Sequence, residues 1–302
     1  KSGLVHRPLA TLEDRLLGEL DPPRHTAVRR VMVTAMTPKV VHAAEPFIAT
    51  TAAELLEALG DRTFDFVTEY TAVLPNRVTV YLLGFDPRDS DQLARWAKGL
   101  MESTFPALNR TEQGVGFAAA FPEFAGYINA RIAERSDQLA QGEDRDDVLA
   151  RLLRLEVEDA PLPPTQLRAL VRNLITGGLT TTSQLLGNLL HALISRPDLE
   201  AAVRADRALL TVAIEESLRL SPPLLFLARG CVRETEIAGC PVHAGERVVI
   251  GAASANRDER VFDDADEFRV DRTNADQHLT FGYGSHVCPG ATLARVVARI
   301  GV

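Results

Sequence analysis

Phe281-Gly282-Tyr283-Gly284-Ser285-His286-Val287-Cys288-Pro289-Gly290 is the stretch on which the reading of this chain turns. Pro289 suits the first turn of a helix, so the loop delivers Cys288 to a helix start. A thiolate there meets unpaired backbone N–H groups and the positive end of the helix dipole, both of which stabilise the anion. The glycines at 282, 284 and 290 let the backbone approach something flat and close, and Phe281 is placed to cover the sulfur from water. On these residues alone Cys288 is a metal ligand, a nucleophile, or simply a buried thiol in a glycine turn. The other cysteines, Cys231 and Cys240, are scattered and lack the paired spacing of zinc or iron–sulfur sites. If metal is involved, it is through a single thiolate.

Working outward, the chain has 302 residues, 46% of them hydrophobic, enough for a sizeable core. It carries 41 acidic against 33 basic residues and a net charge of −8, opposite to the field that gathers phosphate backbones, so nucleic acid is excluded as a partner. Three cysteines in a long chain argue against a disulfide scaffold and for a reducing, cytoplasmic setting. No apolar run reaches the roughly 18 residues of a membrane span, and residues 1–20 show no signal-peptide block.

Aromatic residues are only 6% and Ala, Leu and Arg dominate, a bias toward helix formers. The apolar spacing predicts two helices between Pro22 and Ala58, broken at Pro38, and a helix over Asp65–Leu83 kinked at Pro75. Further helices are expected over Asp89–Met101 and Phe117–Leu139, joined by a flexible connector, Glu102–Gly116. The longest pattern runs from Pro164 to Ser195. In its middle Thr176-Gly177-Gly178-Leu179-Thr180-Thr181-Thr182 breaks the local rule, with glycines and three β-branched residues in a row. A helix is predicted over Val203–Leu220, then short strands at Glu236–Ala238 and Gly245–Gly251, irregular coil over Asn256–Phe281, and a last helix from Pro289. The expectation is one domain over 1–302, mainly α with small β-sheets, with a helical part at about 20–220 and a strand, coil and loop part at about 221–302.

The Cys288 loop resembles the haem-binding signature FGxGxHxCxG of the cytochrome P-450 family at every specified position. Glu216-Ser217-Leu218-Arg219 is similar to that family's ExxR and is followed by Pro222-Pro223; Asn256-Arg257-Asp258 leads through Phe268 to Asp271-Arg272 in the family's order. By itself an ExxR on a helix is an exposed ion pair. The resemblance implies instead a buried network of Glu216, Arg219 and Arg272 holding the coil beneath the haem loop. It also implies that Cys288 ligates haem b, with Phe281, Gly282, Gly284 and Gly290 shaping the loop. His25, Arg29, Arg229 and His286 would hold the haem propionates. Taken alone, His25 and Arg29 read as surface residues.

Residues Gly177, Gly178, Thr180 and Thr181 resemble the family's oxygen-activating helix stretch, with Thr181 as the proton-passing alcohol. Thr180 stands where the family usually has Asp or Glu, and a hydroxyl cannot hold a proton as a tuned carboxylate can. Leu174, Leu224, Leu225 and Phe226 fall on segments that line the family's distal pocket; ordinary core packing explains each equally well. The chain begins near the first propionate-binding helix and stops soon after Cys288, so the expected fold lacks N-terminal and C-terminal portions and exposes apolar surface.

The implied function is monooxygenation: one oxygen atom from O2 enters a hydrophobic small molecule, in a monomer fed by a separate ferredoxin-type or flavodoxin-type electron donor. Two alternatives stay open. One is peroxide-driven or otherwise atypical haem-thiolate oxidation, because of Thr180; the other is non-catalytic haem binding.

Overall fold

The computed structural model describes residues 4–5, 15–107 and 117–302, and only the backbone of 4–5 and 103–107. Its elements run α1 (Arg24–Ala35), α2 (Pro38–Ala43), α3 (Glu45–Leu59), α4 (Val73–Leu83), α5 (Ser90–Ala107), α6 (Phe117–Ala120), α7 (Pro122–Ala140) and α8 (Val148–Arg154). After these come α9 (Pro164–Ile194), α10 (Pro197–Ala205), α11 (Leu209–Leu220), α12 (Ala252–Ala255) and α13 (Ala291–Gly301). The strands are short: β1 (Leu4–Val5), β2 (Glu156–Val157), β3 (Ala160–Pro161), β4 (Leu227–Cys231), β5 (Thr235–Ile237), β6 (Cys240–Val242) and β7 (Arg247–Ile250). The fold is mainly helical with small sheets, as the composition predicts.

The chain divides into two compact units. The first comprises Lys1–Val40, Thr79–Gly177 and Ala228–Val249. In it α1 packs on α8 and α8 on α7, with Val28, Met32, Phe124, Ile128, Leu149 and Leu152 all but closed to solvent. Trp96 stacks on Phe124 at 5.3 Å between ring centroids. Arg135 pairs with Asp147 and donates to the Gly84 carbonyl at 2.9 Å, joining α7 to the turn after α4. The sheet order is β1-β4-β7, with β1 antiparallel to β4, and β2–β3 and β5–β6 form separate hairpins.

The second unit comprises Val41–Val78, Gly178–Leu227 and Ile250–Val302. Here α13 packs on α3 and α11. Val296, Val297 and Ala298 of α13 are buried, and Tyr70 donates its hydroxyl to the Gly301 carbonyl at 2.8 Å. Removing that phenol from water pushes its pKa up to about 12, so it stays a donor.

Several boundaries differ from expectation. Pro38 opens a short helix and a second break falls at Ala44, so three helices replace two. Pro75 lies inside the first turn of α4. The irregularity is a π turn at Val67–Thr71, where the Ala72 N–H reaches the Val67 carbonyl at 2.9 Å. Pro75 has no N–H to offer the Thr71 carbonyl four residues back, and the π turn ends at that residue. Val203 closes α10 instead of opening α11, because Pro197 starts a helix of its own and Asp206 caps the turn by accepting the Ala208 N–H at 2.9 Å. Helix α5 continues to Ala107, into the stretch read as a connector; residues 108–116 of that stretch lie outside the described residues.

Candidate functional site

In the second unit the Cys288 loop forms a tight fold of its own. Gly282 and Gly284 have φ of +77° and +71°, a region that β-carbons resist. The Gly282 N–H donates to Leu279 at 2.9 Å, Val287 to Gly284 at 3.2 Å, and Cys288 to the Phe281 carbonyl at 2.8 Å, so the loop closes on itself before α13 begins. A β-carbon at Gly290 would sit 3.8 Å from the Cys288 sulfur. Cys288 is exposed, as are Tyr283 and Val287. Phe281 is half-buried, its ring 5.8 Å from that of His278 and 4.6 Å from the Arg295 guanidinium.

The loop is hung from α11. Glu216 and Arg219 are both 0% exposed. Arg219 pairs with Glu216 (Nε–Oε2 2.5 Å, Nη2–Oε1 2.9 Å), and Arg272 donates to the same carboxylate at 3.0 Å. The Arg269 N–H adds a further bond at 3.0 Å. Burial alone would raise the Glu216 carboxyl, but these donors outweigh it and hold the group below its ordinary range. Arg219 and Arg272 also tie down carbonyls of the coil, among them Ala265, Glu267 and Asp263. Asn256, fully buried, passes the connection on: its Oδ1 accepts the Leu279 N–H at 2.7 Å and its Nδ2 donates to Thr280 Oγ1 at 2.9 Å. Thr280 Oγ1 in turn donates to the Leu218 carbonyl at 2.6 Å.

Helix α9 stays helical through Thr176–Thr182, so the glycines do not interrupt it. Apolar residues of its flanks, Leu170, Val171, Leu185, Leu186 and Leu189, are buried and carry the helix across the weak stretch. Gly177 is exposed, and Gly178, Thr180 and Thr181 are half-buried. Thr176 bonds its hydroxyl back to the Arg172 carbonyl at 2.9 Å. The Thr180 hydroxyl oxygen is shut from solvent yet has no hydrogen-bond partner among the described residues.

In the first unit His25 and Arg29 lie four apart on α1, hence on one face; His25 is buried and Arg29 half-buried. Arg229 on β4 is half-buried and makes no ion pair among the described residues. Burial pushes its guanidinium down and Asp21 opposes that only partly. Leu174 is half-buried in this unit; in the second unit Leu224 is half-buried, while Leu225 (60%) and Phe226 (46%) are exposed. His286 is half-buried in the loop.

Taken unit by unit, the chemistry of these groups suits a haem: the second unit offers an exposed thiol on a glycine fold and exposed apolar side chains, and the first a half-buried arginine with no ion pair among the described residues. Glu215, Asn256, His278 and Arg295 escaped the sequence reading as site residues. The signal was present only in part, as a second glutamate beside Glu216 and in the Asn256-Arg257-Asp258 run.

The family model of cytochrome P450 matches residues 12–301. The chain is 33% identical over 291 residues to the erythromycin C-12 hydroxylase of Saccharopolyspora erythraea, covering 94% of this chain and 70% of that protein. It is 35% identical over 283 residues to the cyclomarin C epoxidase CymV of Salinispora arenicola, covering 93% of this chain and 70% of that one. A solved mutant of the P-450 EryK in complex with erythromycin B superposes with a TM-score of 0.85 at 30% identity, over 99% of this chain and 76% of that one. The chain therefore belongs to the cytochrome P-450 family, a family of monooxygenases whose matched bacterial members include a hydroxylase and an epoxidase. Among the described residues no helix is long and apolar enough to cross a membrane.

Proposed function

We propose that the protein is a haem-thiolate monooxygenase that hydroxylates or epoxidises a hydrophobic small molecule, with electrons from a separate ferredoxin-type or flavodoxin-type protein. The single observation that carries this is the Cys288 loop, an exposed sulfur on a glycine fold suspended from the buried Glu216–Arg219–Arg272 network. When bound, haem supplies one-electron and O2 chemistry, with thiolate ligation favouring O–O cleavage.

The chain's own residues have distinct tasks. Cys288 ligates iron as the anion. His25, Arg29, Arg229 and His286 would neutralise the propionates. Gly177 and Gly178 keep side chains away from where oxygen binds, and Thr181 passes protons from water. Leu174, Leu224, Leu225 and Phe226 exclude water around the substrate. The similarity to a hydroxylase and an epoxidase supports oxygen insertion at C–H or C=C bonds.

A second reading has one observation in its favour. Thr180 places a buried, unpartnered hydroxyl where the family usually carries an acid, which weakens proton supply and favours peroxide as the oxidant. One set of assays separates the readings. The reduced protein is treated with carbon monoxide, and product is then sought with NAD(P)H, reductase, donor protein and O2, or with peroxide alone. A sulfur-ligated carbonyl spectrum with O2-dependent product supports the first reading. Product from peroxide alone supports the second, and a nitrogen-ligated spectrum overturns both.

A further inference from the structure

Glu215 and Glu216 are neighbours on α11 with separate partners. Glu215 accepts two bonds from Arg295, Nε and Nη2 each at 2.7 Å, and one from His278 Nε2 at 3.1 Å. Nδ1 of the same imidazole accepts the Thr280 N–H at 3.2 Å, which leaves Nε2 to donate to Glu215. Glu215 thus has one permanent counter-charge, Arg295, and a second donor, His278. Burial would raise its carboxyl, but the bonds from Arg295 and His278 outweigh that and hold it at about 2, so it is an anion at any working pH.

Both donors lie against Phe281, Arg295 at 4.6 Å over the ring and His278 at 5.8 Å between centroids. The Phe281 carbonyl holds the Cys288 N–H at 2.8 Å. The two flanks of the loop, residue 278 before it and residue 295 after it, are therefore pinned to one carboxylate.

We infer that Glu215 is a positioning residue for the Cys288 loop: through Arg295 and His278 it fixes Phe281 and the backbone at Cys288, and it neutralises the cation packed on the loop. The consequence at iron rests on the haem-thiolate reading; the claim about the loop does not. Without the carboxylate, a bare Arg295 is an uncompensated cation beside the loop and raises the iron reduction potential. Without the arginine, a bare Glu215 acts in the opposite sense.

The test uses the full chain as purified, with Glu215→Gln, Arg295→Gln, the double variant and Arg295→Lys. Amide hydrogen exchange over 279–288 should quicken about tenfold or more in both glutamine singles and stay near wild type over 256–272. The reduction potential should rise in Glu215→Gln, fall in Arg295→Gln and lie between them in the double variant. Arg295→Lys should keep the wild-type potential while recovering only part of the exchange protection, because it keeps the charge but not the fork.

Unchanged exchange over 279–288, or potentials moving the same way in both singles, overturns the inference. If the singles bind no haem, the exchange comparison alone decides. Wild-type protein that takes up no haem ends the haem reading and leaves that comparison in force.

Discussion

Arg219 and Asn256 bond each other reciprocally: the guanidinium Nη1 donates to the Asn256 carbonyl at 2.9 Å, and the Asn256 side-chain Nδ2 donates to the Arg219 carbonyl at 3.1 Å. A helix end and a coil residue, 37 positions apart, are thus locked at both main chain and side chain. Asn256 then holds Leu279 and Thr280, so the position of the cysteine loop is inherited from the arginine of α11.

Replacing Asn256 with alanine should therefore cost more than an ordinary surface change. It strands the Leu279 N–H and removes two other bonds, a loss of about 2–4 kcal/mol. Denaturant unfolding measures it; a loss below ~1 kcal/mol would show the connection to be incidental.

Glu216→Ala leaves Arg219 and Arg272 buried beside each other without their shared anion. Destabilisation of about 3–5 kcal/mol and loss of bound haem are expected, beyond any slowing of turnover. The haem absorbance retained after gel filtration, with the unfolding midpoint, checks both. A variant that keeps its haem but turns over slowly would mean the network acts on chemistry alone.

Gly282→Ala places a β-carbon at φ +77°. Space is available, the nearest atom being the His286 carbonyl oxygen at 3.6 Å, so the cost is conformational, about 1–2 kcal/mol. The thermal midpoint should drop by a few degrees. An unchanged midpoint would indicate that the loop relaxes freely around this residue.

Acid should weaken the protein through Glu215. An acid whose pKa is lower folded than unfolded contributes fully above its unfolded value, here 4.5, and loses that contribution as pH falls to the folded value of about 2. The contribution at neutral pH is on the order of 3 kcal/mol. Urea midpoints between pH 5 and pH 2 should fall more steeply in the wild type than in Glu215→Gln; equal slopes would reject this assignment.

Thr180→Asp restores a carboxylate to the middle of α9. On the proposed function it should raise the fraction of electrons that end in product. Product and NAD(P)H consumption measured together decide this, and unchanged or lower coupling counts against a proton-supply defect.

The sequence made the helical class plain because period and composition are local properties. It made the Cys288 loop plain because glycines, histidine and cysteine at fixed offsets have few other uses. The breaks before Pro38 and Pro197 were legible, but the short helices that those prolines open were not, although φ near −65° and a missing N–H suit a first turn. The strands β4 and β6 were missed because three to five residues, mostly half-buried or exposed, leave no alternation to detect. Glu215, His278 and Arg295 were not legible as a cluster. They lie up to 80 positions apart, and only the path of the coil brings them together.

Consecutive residues on a helix point about 100° apart, so α11 sends its adjoining carboxylates to two separate sets of tenants, the coil and the loop. A slip of α11 by a single position would leave one carboxylate place empty and put the wrong glutamate in the other, and it would carry Arg219 off the coil carbonyls it holds. The register of this short helix is thereby specified by charge as well as by packing.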